Sequence, residues 1–473
     1  MLLEEYNLVP EKVKTIHLIA VCGTGMGALA CMLKDLGYDI TGSDQAVYPP
    51  MSDFLIQKGV SINEGFSGDN LSYKPDLVVV GNAVRKDNSE VKAVLDNNLY
   101  YCSMPQVLNF LASKNRKQIL ITGTHGKTTT ASLLSYMLYE GGLDPSFMIG
   151  GILKNFNSNY RIGNGEYIVI EGDEYDTAFF DKGAKFFHYN PEIAVLGNIE
   201  FDHADIFTDL DHVKSTFKRF ADGIEKESSL YVFDGDENIK NVTSQTGCEL
   251  VKYGKDTDSD WSLGEFYPRP PYNVFEVFKK GSLFGTFETM LTGEHNLLNA
   301  LSVIAIADCL GIGKDIIQSS LKTFESVKRR QEVRGVRNGI TVMDDFAHHP
   351  TAVRETVKAV KPFYKGRLIA VFEPRTNSSM RDIFQDVYPD SFDHADLVFI
   401  REPSMIEKVP EKERFSSKKL VEDLLSKGKE AYYNSDTDSI MDHIVKIATT
   451  DDLVLIMSNG GFDNIHERLL ERL

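Results

Sequence analysis

The sequence predicts an α/β protein of three successive domains, each with a mainly parallel sheet flanked by helices. Three observations carry this. The chain has 473 residues, too long for one ordinary domain. Apolar, β-rich runs alternate with helical patterns, which requires crossover connections between parallel strands. Two strand-to-helix turns, CGTGMG and GTHGKT, are rich in glycine, the first Rossmann-like and the second a P-loop. We place the boundaries near residues 115 and 326, giving domains 1–115, 116–326 and 327–473.

In the first domain IHLIAV reads as a strand, CGTGMGALACMLKDLG as turn and helix stopped by Gly37, and YDITGSD and DLVVVGNAV as further strands. The second opens with the strand QILIT (Gln118 to Thr122) and the loop GTHGK. Its helix TTTASLLSYMLYEGG carries Leu133, Leu134, Met137 and Leu138 on one stripe and stops at Gly141. YIVIEGDE and IAVLGNIE are two more strands, and 228–288 reads as a β-rich elaboration. In the third, GITVMDDF and RLIAVFEP are strands, HPTAVRETVKAVKP is a helix, and DLVLIMSNGGF is a closing strand and loop.

Composition is globular, with 42% hydrophobic and 25% charged residues. Lys and Arg number 51 against 69 Asp and Glu, a net charge of −18, which argues against a nucleic-acid footprint. Five scattered cysteines (Cys22, Cys31, Cys102, Cys248, Cys309) form no CxxC pair, so neither a disulfide framework nor a thiolate zinc site is expected. No apolar run reaches membrane-spanning length, and MLLEEYNLVPEKVK lacks a signal-peptide core. The expectation is a cytoplasmic protein with small-molecule partners, no membrane association and no determined oligomeric state.

GTHGKTTT is the most informative stretch. Glycines between a buried strand and a helix let backbone N–H groups face phosphate oxygens, and the helix start adds positive potential. Lys127 can reach the β- and γ-phosphates, and the Thr128 hydroxyl can ligate Mg²⁺. The full GxxxxGK[ST] pattern fails, because position 121 is Ile; the loop begins at Gly123. Glu174, in GDEYD after a strand, is a candidate Mg²⁺ ligand at the sheet's carboxyl edge. His203, in NIEFDHADIF, is read equally as a structural histidine or a ligand to a second cation.

In the first domain Gly23, Gly25 and Ala28 with Asp44 resemble a dinucleotide fingerprint, which NAD, FAD or a UDP-sugar would all satisfy. Asn296 and Asn299, three apart on a helix, are on sequence alone a solvated face. Asp345 is equally a ribose ligand or a helix cap. On sequence alone Arg329 and Arg330 are compatible with an exposed charged pair, and His348 and His349 with a helix start.

The combination of GTHGKTTT, GEHNLLNA (Gly293 to Ala300) and DDFAHHPTA (Asp344 to Ala352), behind GTGM and TGSD, resembles the Mur ligases of bacterial cell-wall peptide synthesis. TGSDQAVYPPMS, EYDTAFFDKGAKFFHY, EPRTNSSMRD and MSNGGFDNIHERLL are most similar to the murein peptide ligase branch, which serves peptidoglycan recycling. The resemblance implies an ATP- and Mg²⁺-dependent ligase joining UDP-N-acetylmuramate to L-alanyl-γ-D-glutamyl-meso-diaminopimelate.

It also implies roles for single residues. Gly23, Gly25, Met26, Ser43 and Asp44 would bind the UDP moiety. Gly123, Thr124, His125, Gly126, Lys127, Thr128 and Thr129 would hold phosphates, with Thr128, Glu174 and His203 on Mg²⁺. Asn296 and Asn299 would face adenine, Arg330 the γ-phosphate and Asp345 the ribose, with His348 as a polar or proton-handling neighbour. Arg375, Asn377, Ser458 and Asn459 would lie where the incoming peptide binds.

Two departures stand out: Gly183 occupies an expected basic position, and Phe217 takes the place where several siblings carry a carbamylated lysine. The competing readings are an L-alanine-adding ligase, a nicotinamide-dependent oxidoreductase on the first glycine turn, and a P-loop ATPase without a covalent product.

Overall fold

The computed structural model describes residues 4–47 and 51–473. The first three residues of the N-terminal stretch, and residues 48–50 of TGSDQAVYPPMS, lie outside the described residues. The chain is α/β, with mainly parallel sheets flanked by helices. It divides into two compact units, one of 1–199, 211–261 and 302–320, the other of 200–210, 262–301 and 321–473. Among the described residues no helix is long and apolar enough to cross a membrane.

The first unit holds the N-terminal sheet: β1 (Thr15–Ile19), β2 (Asp39–Asp44), β3 (Ser61–Glu64), β4 (Leu77–Val80) and β5 (Tyr101–Ser103). They pair in parallel in the order β3-β2-β1-β4-β5, a doubly wound half-fold with its reversal beside β1. β1 stops at Ile19, short of the expected Val21. Ala20 adopts a left-handed φ of 65°, and the N–H groups of Ala20 and Val21 both turn to Ser43 O, at 2.8 and 3.0 Å.

The same unit carries β6 (Lys117–Thr122), β7 (Ser146–Leu153), β8 (Ser158–Arg161), β9 (Tyr167–Gly172), the hairpin β10 (Asp176–Ala178) and β11 (Asp181–Ala184), β12 (Pro191–Leu196), β13 (Ser229–Phe233) and β14 (Glu249–Gly254). Apart from the hairpin they run β14-β13-β12-β6-β9-β7-β8, and only β7 with β8 is antiparallel. The segment from residue 228 therefore does more than decorate: β13 and β14 extend the sheet in parallel, with the helix Glu237–Thr243 between them. The helix Lys127–Glu140 is buried at every residue from Thr129 to Leu138, not only along its apolar stripe. Ser135 is accommodated inside by donating to Ala131 O at 2.7 Å.

In the second unit lie most of β15 (Trp261–Arg269), β16 (Tyr272–Lys279) and β17 (Ser282–Thr289), the last two antiparallel. They are followed by the sheet of β18 (Glu332–Arg337), β19 (Ile340–Asp345), β20 (Leu368–Phe372), β21 (Leu397–Arg401), β22 (Glu430–Asn434) and β23 (Leu453–Met457). Its order is β18-β19-β23-β20-β21-β22, antiparallel only at β18. Leu368, Ala370 and Phe372 face one core, Ile369 and Val371 the other. Both faces are covered, as a parallel sheet requires.

Candidate active site

The candidate phosphate loop is built by two glycines and one asparagine. Gly123 (φ +124°) and Gly126 (φ +81°) occupy conformations that side-chain-bearing residues resist. A Cβ on Gly123 would also lie 3.1 Å from Asn198 N and 3.2 Å from Asn198 O. Asn198, just beyond β12, braces the loop: its carbonyl accepts from Thr124 N at 3.1 Å and its Oδ1 from His125 N at 2.7 Å. Its Nδ2 donates to His125 O at 3.1 Å. The loop is thus held from the neighbouring strand before the helix begins at Lys127.

Lys127 Nζ donates to Gly123 O at 2.7 Å and to Glu174 Oε2 at 2.8 Å, and lies 3.8 Å from Asp173 Oδ1. Burial opposes its charge, but Glu174 and Asp173 outweigh that and hold the ammonium above its ordinary range. Thr128 Oγ1 donates to Glu171 Oε2 at 3.1 Å, and Glu171 Oε1 accepts from Gly150 N at 2.7 Å. Burial, then the Asp173 charge, pushes the Glu171 carboxyl up. Asp173 feels the same burial, yet Lys185 and Lys127 bring it down to about 2. The structure therefore gathers Lys127, Thr128 and Glu174 at the carboxyl ends of β6 and β9, where an α/β sheet takes its ligand. Thr129 is buried.

At the N-terminal turn a Cβ on Gly25 would meet Met104 Sδ at 3.3 Å, and Met26 is 7% exposed. Gly23 is the N-cap of the helix Thr24–Asp35. Asp44 Oδ2 accepts from Cys22 N at 2.8 Å, so this carboxylate braces the glycine turn. Ser43 differs from the expectation at its side chain: fully buried, its hydroxyl donates to Glu90 Oε2 at 2.5 Å. Only its backbone faces the turn, through the carbonyl that receives Ala20 and Val21.

In the second unit Asp202 is 6% exposed, and His203 has a left-handed φ of 53° with its N–H on Asp202 Oδ1 at 2.7 Å. His348 Nε2 lies 3.9 Å from Asp202 Oδ2, and His348 Nδ1 is 3.0 Å from Phe346 O. Burial raises the Asp202 carboxyl, but the histidines 203, 348 and 349 hold it well below its usual range. The cap of the helix Pro350–Val360 is His349, which receives Thr351 N at 3.3 Å, and not Asp345. Asp345 instead accepts from Gln331 N and Ala347 N, each at 2.8 Å, and its burial pushes its carboxyl up.

Asn296 is buried and donates to Thr292 O at 2.9 Å, which removes the solvated-face reading; Asn299 Nδ2 is 3.4 Å from Asn296 Oδ1. Arg330 lies over the Phe346 ring at 4.9 Å. Its neighbour Arg329 is no loose surface charge: its Nη2 donates to Ser458 O and Gly460 O, both at 2.6 Å. Ser458 Oγ donates to Glu373 Oε2 at 2.6 Å, Arg375 Nη1 is 3.8 Å from the same oxygen, and the half-buried Asn459 offers its carbonyl to Arg329 at 3.5 Å. Asn377 stands apart from that cluster, exposed and bonded to Asp205 at 3.0 Å.

Comparison with known proteins decides the family. Residues 15–116 match the Mur ligase family catalytic domain, 121–307 the Mur ligase middle domain, and 329–460 the Mur ligase glutamate ligase domain. The chain is 38% identical to the UDP-N-acetylmuramate–L-alanyl-gamma-D-glutamyl-meso-2,6-diaminoheptandioate ligase of Escherichia coli K12, over 97% of this chain and 98% of that one. The chain belongs to the Mur ligase family. It is 33% identical to a UDP-N-acetylmuramate–L-alanine ligase of Caldanaerobacter subterraneus, over 98% of each. The crystal structure of a murein peptide ligase from Psychrobacter arcticus matches with a TM-score of 0.72 and 34% identity, over 97% of this chain and 98% of that one.

Sequence reasoning left four residues of this Mur ligase without a role: Glu171, Asp173, Lys185 and Asn198. A signal existed for the first two, since YIVIEGDE ends a buried strand on three carboxylates. None existed for Asn198, whose partner loop is 73 residues away in sequence.

Proposed function

We infer that this chain is an ATP-dependent amide ligase that joins the carboxylate of UDP-N-acetylmuramate to the amine of L-alanyl-γ-D-glutamyl-meso-diaminopimelate, in peptidoglycan recycling. The observation that carries the chemistry is the half-buried phosphate loop whose lysine, Lys127, bonds the buried carboxylate of Glu174. Likeness to the tripeptide ligase at 38%, against 33% for the alanine ligase, favours the tripeptide as amine.

A carboxylate does not condense with an amine near neutral pH, because its leaving group would be oxide. Transfer of the γ-phosphoryl group gives an acyl phosphate, which the amine then attacks with loss of phosphate. The first step sets a carboxylate against a polyanion and needs concentrated positive charge. Lys127 supplies one such charge, and the loop N–H groups at the helix start supply oriented dipoles. The donor set suits Mg²⁺, since a hydroxyl (Thr128) and a buried carboxylate (Glu174) are hard oxygen ligands. Mg²⁺ held there would neutralise phosphate charge, and His203 is our candidate ligand to a second cation.

The remaining roles are proposals from likeness: Arg330 toward the γ-phosphate, Asn296 and Asn299 toward adenine, Asp345 toward ribose, and His348 as a polar neighbour. Gly23, Gly25, Met26 and Asp44, with the Ser43 backbone, would take the UDP moiety, and Arg375, Asn377, Ser458 and Asn459 the peptide. We keep the domain boundaries at 115 and 326, and place the enzyme in the cytoplasm, where ATP and UDP-sugars are held.

The test is a coupled ADP-release assay with UDP-N-acetylmuramate and MgATP, offering the tripeptide or L-alanine, with product masses determined. Formation of the UDP-linked tripeptide in preference to the alanine adduct supports the reading. ATP turnover without either amide overturns it.

A further inference from the structure

Beside Lys127 stands a second, largely buried cation that the proposed mechanism does not use. Lys185 Nζ donates to Asp173 Oδ2 at 2.9 Å and to the Tyr175 hydroxyl at 3.2 Å, and stands 4.2 Å from the centre of the Tyr175 ring. On the other oxygen of the same carboxylate stands Lys127, at 3.8 Å. The two lysines thus share Asp173, while Lys127 also serves Glu174. The side chains of Lys127, Asp173, Glu174 and Lys185 are only 10%, 17%, 2% and 11% exposed.

The arrangement has a consequence when Lys127 turns to phosphate, as the proposed function requires. In so dry a place a carboxylate that loses its only cation is heavily penalised. Glu174 would be covered by the metal it is proposed to hold. Asp173 has no such replacement among its described partners except Lys185. The chain places that lysine by folding residues 176–184 into the hairpin β10–β11, which returns position 185 beside position 173.

We propose that Lys185 is a positioning residue: it retains Asp173 so that Lys127 is released to the phosphates of the nucleotide. Without Lys185, Asp173 keeps Lys127 for itself, and nucleotide binding must break a buried ion pair. The inference rests on the P-loop reading of Lys127 and adds a role for a residue that reading does not use.

The test is calorimetric titration with ADP, with Mg²⁺ and again in excess EDTA, on wild type, Lys127→Ala, Lys185→Met and the double variant Asp173→Asn/Lys185→Met. Lys185→Met is expected to weaken ADP about tenfold in both conditions, and Asp173→Asn to restore most of that loss, because the competing charge is gone. In turnover assays the defect of Lys185→Met falls on KM for ATP more than on kcat, and Lys185→Arg restores it. Lys127→Ala separates the two ideas. If it loses ADP while Lys185→Met binds as wild type, or if Asp173→Asn gives no rescue, the inference fails and the P-loop reading stands. If Lys127→Ala itself binds and turns over normally, the P-loop reading fails. Should Lys185→Met not fold, Asp173→Asn alone decides: ADP binding as tight as wild type or tighter supports the proposal, and a tenfold loss overturns it.

Discussion

Lys127 is held by groups that differ in sequence distance: carbonyls three and four residues back, and two carboxylates 46 and 47 residues on. On the proposed mechanism, replacing it removes a charge that phosphoryl transfer needs, so Lys127→Ala should lower turnover roughly a hundredfold or more in the ADP-release assay. Gly123 fails for a different reason. Its φ of +124° strains any side-chain-bearing residue and Asn198 crowds a methyl group there, so Gly123→Ala should cost about 1–3 kcal/mol, read as a lower urea midpoint. Glu90 is a buried carboxylate that receives Ser43 and Asn70 beneath the N-terminal glycine turn. Cutting it to Ala leaves those donors unpaired and should cost about 2–4 kcal/mol in the same measurement.

At the scale of elements, buried polar links tie strand ends together. Asp452, just before β23, accepts from Arg367 N at 2.9 Å, from Arg367 Nη2 at 2.6 Å and from Thr449 N at 2.9 Å, pinning the start of β20 to that of β23. Burial alone would raise its carboxyl, but these donors hold it below its ordinary range. A carboxylate lowered in the folded state stabilises fully above its unfolded value, about 3.9, and loses that contribution as pH falls through the folded value. The difference in urea midpoint between wild type and Asp452→Asn should therefore be full at neutral pH and shrink below about pH 4. A difference that grows on acidification would contradict the assigned pairing. Elements were also where periodicity misled. The helix Lys127–Glu140 reads as amphipathic, yet it is buried at every residue from Thr129 to Leu138, where Thr130 and Ser135 turn their hydroxyls to the carbonyls four residues back.

Across the first unit, the N-terminal sheet and the hairpin β10–β11 are joined by direct side-chain contacts. The hairpin that begins beside Tyr175 sends Phe179 and Phe180 against the N-terminal core, with Phe180 5.0 Å edge-on from Tyr101. Ser103 Oγ donates to Asp181 at 2.7 Å, and Asp181 pairs with His188 at 2.8 Å. Ligands that bind only the folded chain add stability by mass action, about 2.7 kcal/mol at one hundred times Kd. UDP-N-acetylmuramate and MgATP should therefore each raise the melting temperature by several degrees, and an unresponsive melt with either one would count against that site.

The sequence by itself determined the class of fold, the strand–glycine–helix units and the family, because all of these are carried by local order: period, turn residues and short motifs. Only the tertiary structure decided that Ser43 turns its hydroxyl inward, that Asn198 braces the loop, that His349 rather than Asp345 caps its helix, and that two lysines divide Asp173. Those outcomes depend on sheet register and on which strand ends are neighbours, and no local pattern encodes which of many similar carboxylates a distant chain crossing will bring within hydrogen-bond reach.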